Sequence, residues 1–139
     1  MAACCYNAES DMEPLRRKFV IQKHTKARAV HWDLMLETGD VLQTYRIELP
    51  PQELYNQRTT AIRIFDHPLK FLTYEGSLSE GKGLVQIADS GTYQLLNEKQ
   101  ERRRMQLEGK ILHGKFALRH IEGDRWEFYL LKAGTSGST

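Results

Sequence analysis

Residues 19–37 read Phe19-Val-Ile-Gln-Lys-His24-Thr-Lys-Ala-Arg-Ala-Val-His31-Trp-Asp33-Leu-Met-Leu-Glu37. Residues 19–23 alternate loosely and are rich in β-formers, which predicts a strand. Residues 30–37 predict a second. A strand has period two, so Val30, Trp32, Leu34 and Leu36 share one face and His31, Asp33 and Met35 the other. The first set is continuously apolar and is expected to be core. The second sets an imidazole beside a carboxylate, on a face with another purpose. Pooled polar groups inside a small barrel are costly unless they bind something.

The surrounding chain predicts an all-β protein. Outward from the quoted stretch, Thr38-Gly39-Asp40 reads as a hairpin turn, residues 41–48 as the returning strand, and Pro50-Pro51 as its end. Residues 52–58 hold a helical turn or loop, and residues 59–66 the next strand. There Thr59, Ala61, Arg63, Phe65 and His67 are expected on one face. Residues 84–88 and 92–96 predict strands around an Asp89-Ser90-Gly91 turn. Residues 97–104 predict a charged turn, and residues 105–112, 115–121 and 125–132 three more strands. Many short strands with turn signals between them imply a small antiparallel β-barrel of about eight strands. Residues 1–15 are expected to form a disordered arm, residues 16–132 the barrel domain, and residues 133–139 a flexible tail.

Composition narrows the class without naming a ligand. The chain has 139 residues, 40% hydrophobic and 27% charged, which suits one ordinary domain. A net charge of +2 does not argue for a nucleic-acid partner. No apolar run approaches the roughly 20 residues of a membrane span. Met-Ala-Ala-Cys-Cys-Tyr opens without a basic start or apolar signal core, and the adjacent Cys4 and Cys5 cannot staple a fold. A cytoplasmic, monomeric protein is expected.

The chemistry is expected from His24, Asp33 and His67. Two imidazoles and a carboxylate suit a divalent first-row ion with open positions, such as Mn²⁺, Fe²⁺, Co²⁺ or Zn²⁺. Structural zinc sites usually take four ligands including cysteine, so a metal here would be catalytic. Against this stands a satisfied polar network with no ion. His31-x-Asp33 with the distal His67 also has the form of an iron(II) oxygenase triad. Those enzymes need a longer chain and a basic anchor after the distal histidine, and Pro68-Leu69-Lys70-Phe71 offers no clear one.

Read together, Phe19-Val-Ile-Gln-Lys-His24, His31-Trp-Asp33-Leu-Met-Leu-Glu37, Val41-Leu42, Asp66-His67-Pro68-Leu69, Tyr74-Glu75-Gly76, Asp89-Ser90-Gly91-Thr92-Tyr93 and Gly114-Lys115-Phe116-Ala117-Leu118 occur in that order. This resembles the 3′-phosphoesterase domain of bacterial DNA ligase D and its stand-alone archaeal and bacterial relatives, over about residues 19–132. The resemblance implies a compact β-barrel. It implies a manganese-dependent enzyme that removes a 3′-terminal ribonucleoside and then the 3′-phosphate from DNA or RNA–DNA ends in repair. It implies His24, Asp33 and His67 as metal ligands and His31 as a phosphate contact, and a DNA ligase or polymerase as a partner in trans. Some family positions differ. Met35 and Thr59 replace arginines, Phe71 a tyrosine, Phe65 a glutamate and Leu49 a lysine. A catalytically degenerate module that binds or scaffolds nucleic-acid ends is therefore the alternative. Arg63 is expected to replace the lost positive charge.

Further cations are candidates for nucleic-acid phosphates. Lys23, Lys26 and Arg28, with Arg16, Arg17 and Lys18, lie near the site in sequence, and Lys99, Arg102, Arg103 and Arg104 form a separate run. A charge run in a turn is otherwise a solvated loop. Trp32 and Trp126 are expected in the core, and His113 and His120 as structural or exposed residues.

Overall fold

The computed structural model describes residues 16–131. The expected arm at residues 1–15 and the tail at residues 133–139 lie outside the described residues. Nine strands run in chain order: β1 (Arg17–Lys26), β2 (Ala29–Thr38), β3 (Val41–Ile47), β4 (Thr59–Pro68), β5 (Gly76–Ser77), β6 (Leu84–Lys99), β7 (Arg102–Gly109), β8 (His113–Glu122) and β9 (Arg125–Leu130). Three short 3₁₀ turns, Pro51–Tyr55, Leu69–Leu72 and Ser79–Gly81, complete the described elements. No helix there is long and apolar enough to cross a membrane.

Every strand pairing is antiparallel, in the order β1-β2-β3-β4-β9-β8-β7-β6, and β6 pairs back onto β1. Eight strands thus close a barrel and leave no long free edge. The ninth, two-residue β5 adds onto the β6 rim. Alternation fills the lumen with one side of each strand. Phe19, Ile21, Leu34, Leu36, Tyr45, Tyr93, Phe116 and Phe128 all belong to one buried cluster. Each side chain of this size contributes about 1.5–3 kcal/mol when buried, so the lumen holds the fold together. Trp32 and Trp126 pack against that cluster, as expected. Val30 does not. At 39% exposed it lies beyond the core, near the end of β2 that meets the Ala27–Arg28 turn.

The polar face is therefore not inside the barrel. It is the outer wall of β1–β4. The registers Val20↔Met35, Gln22↔Asp33 and His24↔His31 run up β1 and β2, and Asp33↔Arg46 carries the middle row onto β3. A second apolar cluster sits on this wall. Val20, Met35 and Leu42 are covered by Leu69, Phe71, Leu72 and Ile87, so the segment after β4 folds back as a roof. Gln22 anchors that roof by donating to the Phe71 and Tyr74 carbonyls at 3.1 and 3.0 Å.

Two further expectations change. Residues 84–99 form one continuous strand, not two around a turn, and the charged turn expected over residues 97–104 shrinks to residues 100–101 because Asn97, Glu98 and Lys99 pair with Arg104, Arg103 and Arg102. Asp89 is buried, and its carboxylate accepts from the backbone N–H groups of Ser90, Lys110, Ile111 and Leu112 at 2.8–2.9 Å. Its side chain serves the β7–β8 connection instead of a local turn. Gly91 lets β6 pass close to β7, since a Cβ there would stand 2.0 Å from the Glu108 carbonyl.

The second change is a bulge in β4. Thr44 pairs with Ile64, but Leu42 pairs with His67, so β4 holds one extra residue across that step. The extra residue reverses the alternation. Arg63 faces Tyr45 on the lumen side, while His67 emerges on the outer wall beside Thr44. Arg63 and His67 thus do not share a face.

Candidate metal and phosphate site

The outer wall and its roof enclose a cavity of about 520 Å³ lined by His24, His31, Asp33, Arg46, His67 and Lys82, with other residues. Three donors converge in it. One ligand atom each from His24, His31 and Asp33 lie within 4.8 Å of one another. The facing registers of β1 and β2 produce this convergence, because His24 and His31 are directly opposed and Asp33 is the next outward residue.

Hydrogen bonds set the imidazole tautomers. His24 Nε2 lies 2.7 Å from the Lys82 carbonyl, which can only accept, so Nε2 carries the proton. That leaves the His24 Nδ1 lone pair facing His31 Nε2 at 3.0 Å. The approach of Lys82 depends on Gly83. Its φ is +109°, and a Cβ there would stand 2.4 Å from the Thr25 carbonyl. Asp33 is buried, and its contacts are Arg46 Nε and His31 Nε2, both at 3.5 Å. A buried carboxylate with such long contacts, beside two imidazole nitrogens, is a donor set that suits a divalent first-row cation.

His67, expected as a ligand with His24 and Asp33, lines the same cavity but lies outside the close group, where His31 stands instead. His67 Nδ1 donates to the Phe65 carbonyl at 3.1 Å and to Thr44 Oγ1 at 2.9 Å, while the Thr44 hydroxyl donates to the Leu42 carbonyl. This leaves Nε2 without a proton and free to ligate, the usual role of an outer hydrogen bond in metal sites. Burial holds the imidazole below its ordinary pKa, against the opposing pull of Asp33 and the Phe65 carbonyl. The folded site therefore keeps His67 neutral to lower pH than the unfolded chain does. Below about pH 6.5 the unfolded chain binds the extra proton, so this contribution to stability is complete above that pH and is lost as pH falls toward the lowered folded value. In urea denaturation of metal-free protein at about pH 7.5 and 5.5, His67→Gln should lose less stability on acidification than wild type. Equal losses would refute the account.

The structure brings the other named residues to different places. Lys26 lines the cavity. Arg28 is exposed in the tight turn between β1 and β2, and Lys23 lies on the alternate face opposite Trp32. Arg63 does not line the cavity. It pairs with Asp66 at 3.3 Å and lies over the Tyr45 ring. Arg103 is buried and donates to Gln43 and Tyr45, while Lys99 and Arg102 line a shallow surface on the far wall. His120 packs edge-on against Trp126 and bonds the Gly123 carbonyl.

Sequence reasoning missed Arg46. A two-residue Gly39-Asp40 turn sets Thr38 opposite Val41, and counting back puts Arg46 opposite Asp33, so the hairpin register held the signal. Two of the family departures also prove to be linked. Met35 and Phe71 belong to the same apolar cluster beneath the roof.

The family model of the DNA Ligase D 3′-phosphoesterase domain matches residues 22–120. The multifunctional non-homologous end joining DNA repair protein LigD of Mycobacterium tuberculosis is 37% identical over 123 residues. That match covers 82% of this chain and 16% of the relative. The Mycolicibacterium smegmatis and Pseudomonas aeruginosa non-homologous end joining proteins LigD are 31% and 27% identical, covering 83% and 84% of this chain and 17% and 15% of their own lengths. The chain spans about a sixth of the curated relatives it matches. The matched segment contains the whole wall from Gln22 through Asp33 and Arg46 to His67, and on that ground the chain belongs to the DNA ligase D 3′-phosphoesterase domain family.

Proposed function

We propose that this chain is a metal-dependent 3′-phosphoesterase that trims a 3′-phosphate or 3′-terminal ribonucleotide from DNA ends during end joining. The observation that carries the reading is the meeting of His24, His31, Asp33, Arg46 and His67 in one cavity. Manganese is the proposed ion, with cobalt or zinc as substitutes. When bound, it supplies positive charge that neutralises the scissile phosphate.

His24 Nδ1 and Asp33 would hold the ion, with His67 Nε2 as third ligand because its other nitrogen is committed to backbone and Thr44. A second assignment makes His31 the third ligand, since its atom lies in the close group with His24 and Asp33. In the first assignment His31 Nε2 gives its proton to the departing oxygen as water attacks phosphorus, the DNA 3′ oxygen in phosphate release and the nucleoside 5′ oxygen in ribonucleoside release. Arg46 keeps guanidinium donors beyond its Asp33 contact and takes a non-bridging phosphate oxygen, the task expected of Arg63 from sequence.

The test is a primer–template with a 3′-phosphate or terminal 3′-ribonucleotide, incubated with Mn²⁺. Wild type should release phosphate or the nucleoside. Arg46→Ala should slow release by about 10²-fold with little change in Mn²⁺ affinity, the effect of losing one preorganised charge-stabilising donor. Arg63→Ala should trim at the wild-type rate. Mn²⁺ titration of His67→Ala and His31→Ala separates the two ligand assignments, because only loss of a ligand abolishes tight binding. Binding of ends by wild type without any release would replace this reading with the end-binding module.

A further inference from the structure

Phe65 is 74% exposed, the highest value among the large exposed hydrophobic residues described. The β4 bulge turns it out of the sheet, and bulges next to functional sites often re-aim a side chain. One face of its ring is stacked on His67, with centroids 4.7 Å apart and planes 11° from parallel. Phe65, His67, Phe71 and Lys82 line both the candidate metal cavity and a neighbouring one of about 470 Å³. The second cavity adds Tyr74 and Lys70, and no carboxylate lines it. Phe71 meets both His67 and Tyr74 edge-on, at 5.6 and 5.7 Å. Aromatic surface edged by lysines and free of acids is the chemistry that holds single-stranded nucleic acid, where bases stack and cations follow the backbone.

We infer that Phe65 is a stacking platform for an unpaired nucleobase at the processed 3′ end, and that the neighbouring cavity receives that nucleotide. The inference rests on the end-processing reading and adds to it a preference for frayed or single-stranded ends. A paired terminal base is already stacked on its neighbour and gains less from the ring. Phe65 stands where the resemblance implies glutamate, so the platform is a property of this chain. The extra length of the bulge carries the ring outward, and the same bulge carries His67 onto the wall. Base platform and candidate phosphate chemistry are thereby two residues apart in sequence.

The test uses a single-stranded oligonucleotide with a 3′-phosphate and 2-aminopurine as its terminal base. It is bound in the presence of chelator so that no trimming occurs. Wild type should quench the 2-aminopurine fluorescence. Phe65→Ala should lose the quenching and bind about 10-fold or more weakly, the scale of one lost base–aromatic stack. Phe65→Trp should retain both. An abasic terminal nucleotide should weaken binding to wild type and leave binding to Phe65→Ala unchanged. Equal quenching by wild type and Phe65→Ala, or equal affinity of wild type for base and abasic ends, would overturn the platform. If wild type trims ends but Phe65→Ala changes neither signal, the platform fails and the enzymatic reading stands. If stacking is seen and no trimming occurs with Mn²⁺, the platform stands and the enzymatic reading fails.

Discussion

Asp33→Asn is expected to abolish tight manganese binding and to slow 3′-end trimming by about 10³-fold or more. The carboxylate is the only anionic donor in the close group with His24 and His31. An amide oxygen is a weaker ligand and carries no charge against a divalent ion, and an ion that supplies several kcal/mol to the transition state accounts for a loss of that size. The same substitution should not unfold the metal-free protein. Asp33 is buried with contacts no shorter than 3.5 Å, so its removal relieves an uncompensated desolvation cost. Metal-free Asp33→Asn should therefore match or exceed wild type in urea denaturation, and lose the extra stability that Mn²⁺ gives wild type. A variant that binds Mn²⁺ like wild type would remove Asp33 from the site. A variant that is much less stable without metal would show that the residue serves the fold.

Asp89→Ala is expected to do the reverse, losing about 3–5 kcal/mol of stability. That is the scale for removing one partner of a buried charged contact. Four backbone N–H groups converge on this carboxylate, three of them consecutive from Lys110 to Leu112. With alanine these donors lose their acceptor, and each group left buried without one costs about 1–3 kcal/mol. The candidate site shares no residue with the Asp89 network, so a variant that remains folded at low temperature should keep its Mn²⁺ affinity. An asparagine side chain would preserve an acceptor at one oxygen position and point an amide toward a donor at the other, so Asp89→Asn should fall between alanine and wild type. The measurement is urea unfolding of all three proteins. A cost below about 1 kcal/mol for alanine would mean that water replaces the carboxylate and that the network is not what ties the β7–β8 connection to β6.

The two residues show why two buried acids in one barrel have separate duties. Both are buried. Asp89 is surrounded by donors at hydrogen-bond distance, while Asp33 is left with long contacts to a histidine and an arginine. Satisfied polar groups stabilise, and incompletely satisfied ones mark places where a ligand completes the shell.

The local sequence determined most of the strands, the hairpin between β2 and β3, and the shared face of His31 and Asp33. Those features follow from period two and from turn residues, which act over a few positions. The motifs around His24, Asp33 and His67 were also enough to identify the family. Tertiary structure alone decided the rest. Antiparallel alternation says that two faces exist and not which one becomes the lumen, so the polar face could be read as interior when it is the outer wall under a roof. Alternation also counts without error only while the ladder is regular. The extra residue in β4 moved Arg63 to the lumen side and brought His67 to the wall, and the bulge has no composition signal in Ile64-Phe65-Asp66-His67. Asp89 read as a turn because aspartate before serine and glycine favours one locally, whereas its partners lie about twenty residues onward, brought together only when β6 and β7 pair. Long-range pairing overrides local preference wherever a buried polar group needs acceptors or donors that its own neighbours cannot supply.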